Sequence, residues 1–250
     1  YKDKFGNPSS VHSEGREARV SLDEARDRVA NLVGAKPAEI IFTSGGSESN
    51  NFAILGVTLS LNSKKRHIVT SEIEHSAILN PLKQLENLGF HVDYIPVDGF
   101  GRIDNKKIEN ALTDSTVLVT IQHANSEVGT LQNISEIGKL VQKKGILFHT
   151  DAVQSVGKIP VDVNDLCVDL LSLSSHKIYG PKGVGALFVK QGTPPLFSPV
   201  CGGGQEKKRR GGTENVPGIV GFGKACQLAH YRLNKGDTER LKKMRDQLRK

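Results

Sequence analysis

Seven short apolar runs recur along this chain, separated over most of its length by helical patterns, and that alternation restricts the fold more than any other feature. The runs occupy residues 40–43, 67–71, 91–96, 117–121, 147–150, 170–173 and 185–189. Most carry apolar residues at consecutive positions, as strands buried on both faces do. Helical patterns cover 13–33, a stretch from about 48, 76–88, 106–112 and 134–144, and Gly34, Gly89 and Gly145 close three of them. Doubly buried strands joined by helices make an α/β fold, a mostly parallel central sheet flanked by helices. A glycine-rich basic loop at 202–212 precedes two more helical patterns, 216–232 and 238–249. With no internal repeat or linker, residues 1–232 read as one large domain. Residues 233–250 read as the start of a helix leading towards a small C-terminal domain. The chain begins at Tyr1 without a signal peptide and ends at Lys250 inside a charged helical pattern, so both ends read as cut.

A chain of 250 residues can bury most of the surface it exposes when unfolded. Its 37% hydrophobic and 24% charged content excludes a disordered chain. No apolar run reaches the roughly 18 residues of a membrane span. Cys167, Cys201 and Cys226 are too few and too scattered for a disulfide framework or a paired-cysteine metal site. That favours a reducing, cytoplasmic setting and no metal centre. The net charge of +7 suits an anionic ligand.

Ligands of open α/β sheets sit at the carboxyl ends of the strands, and the distinctive residues of this chain cluster there. Ser44-Gly45-Gly46-Ser47-Glu48 follows a strand and opens a helix, so its backbone N–H groups suit a phosphate. It matches neither nucleotide-binding glycine fingerprint, and an ordinary strand-to-helix turn has the same composition. His75 follows the 67–71 run, where a histidine either stacks on a ligand or caps a helix. Asp151 ends the 147–150 run; a carboxylate there either pairs with a buried cation or caps the next helix. Lys177 closes Ser172-Leu173-Ser174-Ser175-His176-Lys177. Partial desolvation would free its amine for Schiff-base chemistry, whereas an exposed loop lysine would simply reach water. One ligand would use all of these groups. Pyridoxal phosphate needs a lysine for its aldehyde, a carboxylate for its ring nitrogen, a flat group over its ring, and donors for its phosphate and phenolic oxygen. Lys177, Asp151, His75, the Gly45–Ser47 turn and Gln154 can fill those places.

These strings resemble the cysteine desulfurases of the class V aminotransferase group, which are pyridoxal-phosphate enzymes of fold type I. The resemblance runs in order through almost the whole chain. Gly6-Asn7-Pro8-Ser9-Ser10 with His12, Gly15 and Arg16 is similar to the family's N-terminal motif. Phe42 to Asn51 is similar to its phosphate loop. Glu74-His75, Asp151-Ala152-Val153-Gln154 and Ser175 to Gly183 are similar to its cofactor motifs, and Gly202 to Asn215 to its dimer-spanning loop.

The resemblance implies that Lys177 takes the cofactor's aldehyde and Asp151 pairs with the ring nitrogen. It further implies that His75 stacks on the ring and relays protons, and that Gln154 bonds the phenolic oxygen. Gly46, Ser47, Ser174 and His176 would hold the phosphate, with Thr213 reaching in from the second subunit of a homodimer. Ser126 stands where the family carries an asparagine that touches the cofactor. The loop before Thr213 departs through its basic run Lys207, Lys208, Arg209 and Arg210, which reads as solvated.

The implied reaction removes sulfur from L-cysteine, leaving L-alanine and an enzyme persulfide for iron–sulfur or thiolation pathways. The implied partner is a sulfur-acceptor or iron–sulfur scaffold protein. The resemblance places the sulfur-accepting cysteine and the substrate-carboxylate arginine beyond Lys250, and an opening strand before Tyr1. None of the three cysteines matches the sulfur-accepting position, and Cys167 reads as a buried apolar residue. Selenocysteine lyase, or a catalytically incomplete cofactor-binding fragment, shares the same constellation. A nucleic-acid module built on Lys207 to Arg210 would leave Lys177, Asp151 and His75 without a task.

Overall fold

The computed structural model describes residues 5–60 and 64–248. Seven strands form one sheet: β1 (Ile40–Thr43), β2 (His67–Ser71), β3 (His91–Ile95), β4 (Thr116–Gln122), β5 (Leu147–Asp151), β6 (Leu170–Ser174) and β7 (Gly185–Val189). Their order is β1-β7-β6-β5-β4-β2-β3. Helices α1 (Ser13–Leu32), α2 (Gly46–Thr58), α3 (Ser76–Asn87), α4 (Asn105–Ala111) and α5 (Ile134–Lys143) interleave with them. After β7 come a four-residue turn, α6 (Gln205–Lys208), then α7 (Val216–Asn234) and α8 (Asp237–Leu248).

Apolar residues at consecutive strand positions serve two cores because successive side chains point to opposite faces. Ile41, Ile68, Leu118, Leu170 and Leu187 pack with Phe52 of α2 and with Ile78 and Leu82 of α3. Their neighbours Phe42, Val69, Val119, Leu171 and Phe188 pack on the other face with Leu22 of α1, Ile137 of α5 and Phe222 of α7. Each such side chain, fully buried, contributes roughly 1.5–3 kcal/mol.

The run from β3 through β2, β4 and β5 to β6 is parallel, whereas β7 is antiparallel to both β6 and β1. β1 therefore points the same way as the parallel set, and β7 alone is reversed. The reversal has a local cause. Residues 175–184, between β6 and β7, are fewer than the dozen or more a parallel crossover needs. Six strands thus end at one edge of the sheet, where β7 begins.

Other expectations shift in detail. α2 starts at Gly46 rather than near residue 48, and α7 runs to Asn234, past the expected 232. α8 has no buried residue, and the Arg249 end expected for it lies outside the described residues. Cys167 is half-buried on a turn at φ 54°, its thiol 3.5 Å from the Asn164 carbonyl, rather than in the core.

The basic loop is only partly solvated. Arg210 Nε donates to Glu48 Oε1 at 2.8 Å, and Arg209 donates to the Ala38 carbonyl at 3.0 Å. Glu206, buried beneath them, takes both Arg26 nitrogens at 2.8 and 2.7 Å.

Candidate active site

A cavity of about 400 Å³ opens at the edge where the strands end. Nine of the ten residues expected at a cofactor site line it: Gly46, Ser47, His75, Ser126, Asp151, Gln154, Ser174, His176 and Lys177. Thr213, expected to serve a second subunit, is exposed and lies outside it. Asn50, Gln122 and Val153 also line the cavity, although the sequence reading gave none of them a role of its own. Asn50 could have been found, because it lies one helical turn beyond Gly46 and so shares its face.

The β1–α2 turn builds one wall. Gly45 caps α2 without a side-chain hydrogen bond, so the first-turn N–H groups, which no helix carbonyl can reach, stay available to an anion. The backbone is packed tightly here. A Cβ on Gly46 would lie 2.8 Å from Val153 Cγ2, and one on Gly185 would lie 2.7 Å from the Gly45 backbone. Glu48 accepts the Ser44 N–H at 2.8 Å, pinning the turn from behind. Burial pushes the Glu48 carboxyl up, but its bonds to Arg210 and Ser44 win and hold it below the ordinary range.

Asp151, at the end of β5, is buried. Its Oδ2 accepts Asn50 Nδ2 at 2.7 Å, and its Oδ1 accepts the Val153 N–H at 3.0 Å. No helix follows directly, so the carboxylate caps only a turn. Burial raises its pKa above the ordinary carboxylate range, against the lowering pull of the Val153 and Asn50 hydrogen bonds and of His75.

Behind it, Glu74 is buried and pushed up to about 8, first by burial and then by the Asp151 charge. Its Oε1 takes the Ser71 hydroxyl at 2.6 Å and the Gln122 N–H at 2.9 Å, while Oε2 has no partner. With its carboxyl pushed up to about 8, Glu74 is held mostly neutral near pH 7. Under the sheet, His149 lies between Thr120 Oγ1 at 2.8 Å and Ser172 Oγ at 3.0 Å, and burial holds it at about 3.

Lys177 sits half-buried in the turn Ser175–Ile178, directly after β6. Burial first, then the charges of Lys177 and Lys182, lower the His176 pKa. A neutral His176 has its Nδ1 2.9 Å from Ser174 Oγ. Gln154 Oε1 accepts Lys158 Nζ at 2.8 Å. His75 does two jobs at once, since its Nδ1 accepts the Ala77 N–H at 3.0 Å and caps α3 while the residue lines the cavity. Ser126 donates to its neighbour Glu127 at 3.1 Å.

These groups fit pyridoxal phosphate: an amine, a buried carboxylate, and an anion-binding helix start opened by a glycine. Cys167, Cys201 and Cys226 all lie outside the cavity lining.

The aminotransferase class-V family model matches residues 1–250. A cysteine desulfurase IscS of Dictyoglomus turgidum is 53% identical over 98% of this chain, which spans 62% of that relative. Among solved structures, a NifS-like protein superposes with a TM-score of 0.95 at 42% identity, over 99% of this chain and 68% of the other. A structure titled SspA in complex with cysteine superposes at 0.87 with 46% identity, over 90% of this chain and 65% of the other.

Proposed function

The chain belongs to the class-V aminotransferase family, and from that premise we propose that it is the pyridoxal-phosphate-binding part of a cysteine desulfurase. The proposed reaction takes L-cysteine and a thiol to L-alanine and a persulfide: the substrate C–S bond breaks, its sulfur bonds to the thiolate sulfur, and one proton takes its place on carbon. The observation that carries this reading is the convergence of Lys177, buried Asp151 and the start of α2 on one cavity. Residues 1–232 are the cofactor-binding domain in this reading, with α8 leading away from it.

The cofactor, when bound, would draw electrons away from the amino-acid carbon. Everything else is the work of the chain. Lys177 would hold the cofactor covalently through Nζ and hand that position to the substrate amine. Asp151 would keep a ring N–H protonated, held in place by Asn50 and the Val153 N–H. The neutral Glu74 keeps a second negative charge away from Asp151. Gly46, Ser47, Ser174 and His176 would bind phosphate with backbone and side-chain donors. Gln154 would orient the phenolic oxygen, and His75 would cover the ring and move protons. Ser126 would reach towards the same ring with a shorter arm than asparagine. Thr213 would serve the cavity of a second copy, which makes the working unit a homodimer.

All three cysteines lie off the cavity, so the sulfur-accepting thiolate in this proposal comes from another segment or molecule and passes sulfur to an acceptor or iron–sulfur scaffold protein. No described helix is long and apolar enough to cross a membrane; the setting in this proposal is cytoplasmic.

The test is to load the protein with pyridoxal phosphate, reduce one portion with borohydride and map the labelled peptide, and measure alanine and sulfide from L-cysteine and an added thiol with the unreduced portion. A label on Lys177 with alanine and sulfide formed together supports the proposal. A label elsewhere refutes the site, and alanine formed only from L-selenocysteine would reassign the substrate.

A further inference from the structure

At the amino-terminal ends of β2 and β3, about 13 Å along the strand from the cavity edge, two imidazoles and a carboxylate come together. His67, His91 and Asp93 each offer one ligand atom, all within 4.8 Å of one another. The cluster follows from ladder register. β2 and β3 are parallel with His67 paired to His91, and Asp93 lies two residues on, on the same face as His91.

The two rings stack at 5.2 Å, and each Nε2 lies 3.2 Å from a different oxygen of Asp93. His67 is 4% exposed, with Nδ1 2.8 Å from Thr116 Oγ1 on β4. That hydroxyl fixes the ring and can accept an Nδ1 proton, which leaves the Nε2 lone pair free for a ligand. The His91 side chain is 75% exposed and that of Asp93 39%, so the cluster opens to solvent and has an entry path. None of the three lines the cofactor cavity, and the proposed desulfurase chemistry uses none of them.

We propose that His67, His91 and Asp93 form a binding site for a borderline divalent transition-metal ion, with zinc as the reference ion and water completing its shell. Two imidazoles with one carboxylate form a donor set for zinc, cobalt, nickel or copper; calcium and magnesium prefer all-oxygen shells. The ion would take the space between the two Nε2 atoms and Asp93, each imidazole binding it through an unprotonated Nε2. The ion would tie the edge strand β3 to β2.

The chelator-stripped protein should be titrated with Zn2+ by calorimetry and with Co2+ by visible absorption. We expect one ion per chain and a higher melting temperature on loading. His91→Ala and Asp93→Asn, changes at solvent-facing positions, should each remove the uptake and the melting shift. Thr116→Val should weaken binding about 10- to 100-fold. Cys201→Ser and excess Mg2+ should leave it unchanged. Absence of saturable uptake, uptake that survives His91→Ala, or uptake lost in Cys201→Ser would each overturn the proposal. Pyridoxal phosphate loading, measured alongside, should be the same in His91→Ala as in the parent, which separates this site from the cofactor reading.

Discussion

Asn50 Nδ2 donates to Asp151 Oδ2 at 2.7 Å, joining a helix and a strand end that lie 101 positions apart in sequence. The bond holds one carboxylate oxygen while the Val153 N–H holds the other. Hydrogen bonds to charged groups contribute about 1.5–3 kcal/mol. Asn50→Ala should therefore weaken pyridoxal phosphate binding about 10- to 100-fold by absorbance titration. Asp151→Asn should cost more, and turnover of L-cysteine should fall with it. Near-normal turnover in Asp151→Asn would reduce the residue to a turn cap.

Lys177→Ala should abolish the borohydride-reducible adduct while leaving the circular dichroism spectrum unchanged. The side chain is half-buried on a short turn and packs in neither core, so stability should move by less than about 1 kcal/mol. Lys158 is the nearest rival. Burial first, then the Lys177 charge, lowers its pKa, and an adduct retained in Lys177→Ala but lost in Lys158→Ala would move the anchor there.

Glu74 gives a pH signature. Its folded pKa of about 8 lies above the reference 4.5, so the folded protein keeps a proton that the unfolded chain releases across this interval. The contribution of Glu74 to stability is complete below pH 4.5 and is lost as pH rises towards 8, by several kcal/mol as an order of magnitude. His149, held at about 3, has the opposite sign: its contribution is lost as pH falls below 6.5. Comparing the parent with Glu74→Gln at each pH cancels His149. In urea unfolding, the parent should lose stability relative to the variant as pH climbs from 5 to 8. Parallel curves would mean that Glu74 is ionised in the fold.

The Arg26–Glu206 pair fastens the loop before Thr213 to α1. Glu206 also accepts the Phe42 N–H at 3.0 Å, so this carboxylate is satisfied from three nitrogens and shielded from water. Arg26→Ala strands a buried charge and should cost about 3–5 kcal/mol in thermal or urea unfolding. Arg245→Ala, which breaks the exposed pair with Asp246 at 2.6 Å, should cost less than about 1 kcal/mol. Equal losses would contradict the burial argument.

With an added thiol as sulfur acceptor, Cys167→Ser, Cys201→Ser and Cys226→Ala should each leave sulfide formation from L-cysteine within about twofold of the parent rate. Cys226 is buried and its thiol is pushed well above the ordinary range by burial, so little thiolate forms there. A Cys201→Ser variant that stopped forming sulfide would make Cys201 the sulfur acceptor.

Much of the fold was legible because it is local. A strand buried on both faces must carry consecutive apolar residues, and a helix that stops needs a residue such as Gly34 or Gly145 able to take positive φ, as both do here. The site motifs were legible for a related reason: each is a short string at a strand end, and parallel strands bring such ends to one edge whatever their order. Lys177, Asp151 and the Gly45–Ser47 turn could be named before their distances were known.

What the tertiary structure decided depends on partners far apart in sequence. β1 comes first in the chain yet pairs at the sheet edge with β7, which comes last, and no local pattern encodes such a pairing. Asn50 reads as one more polar residue of a helix until Asp151 stands 2.7 Å away. Glu74 becomes a neutral acid only because folding removes its water, and Arg209 and Arg210 leave solvent only because Ala38 and Glu48 fold beneath them. His67, His91 and Asp93 form no motif in sequence. They meet because the register of two parallel strands sets them side by side, and register is the outcome of packing the whole sheet.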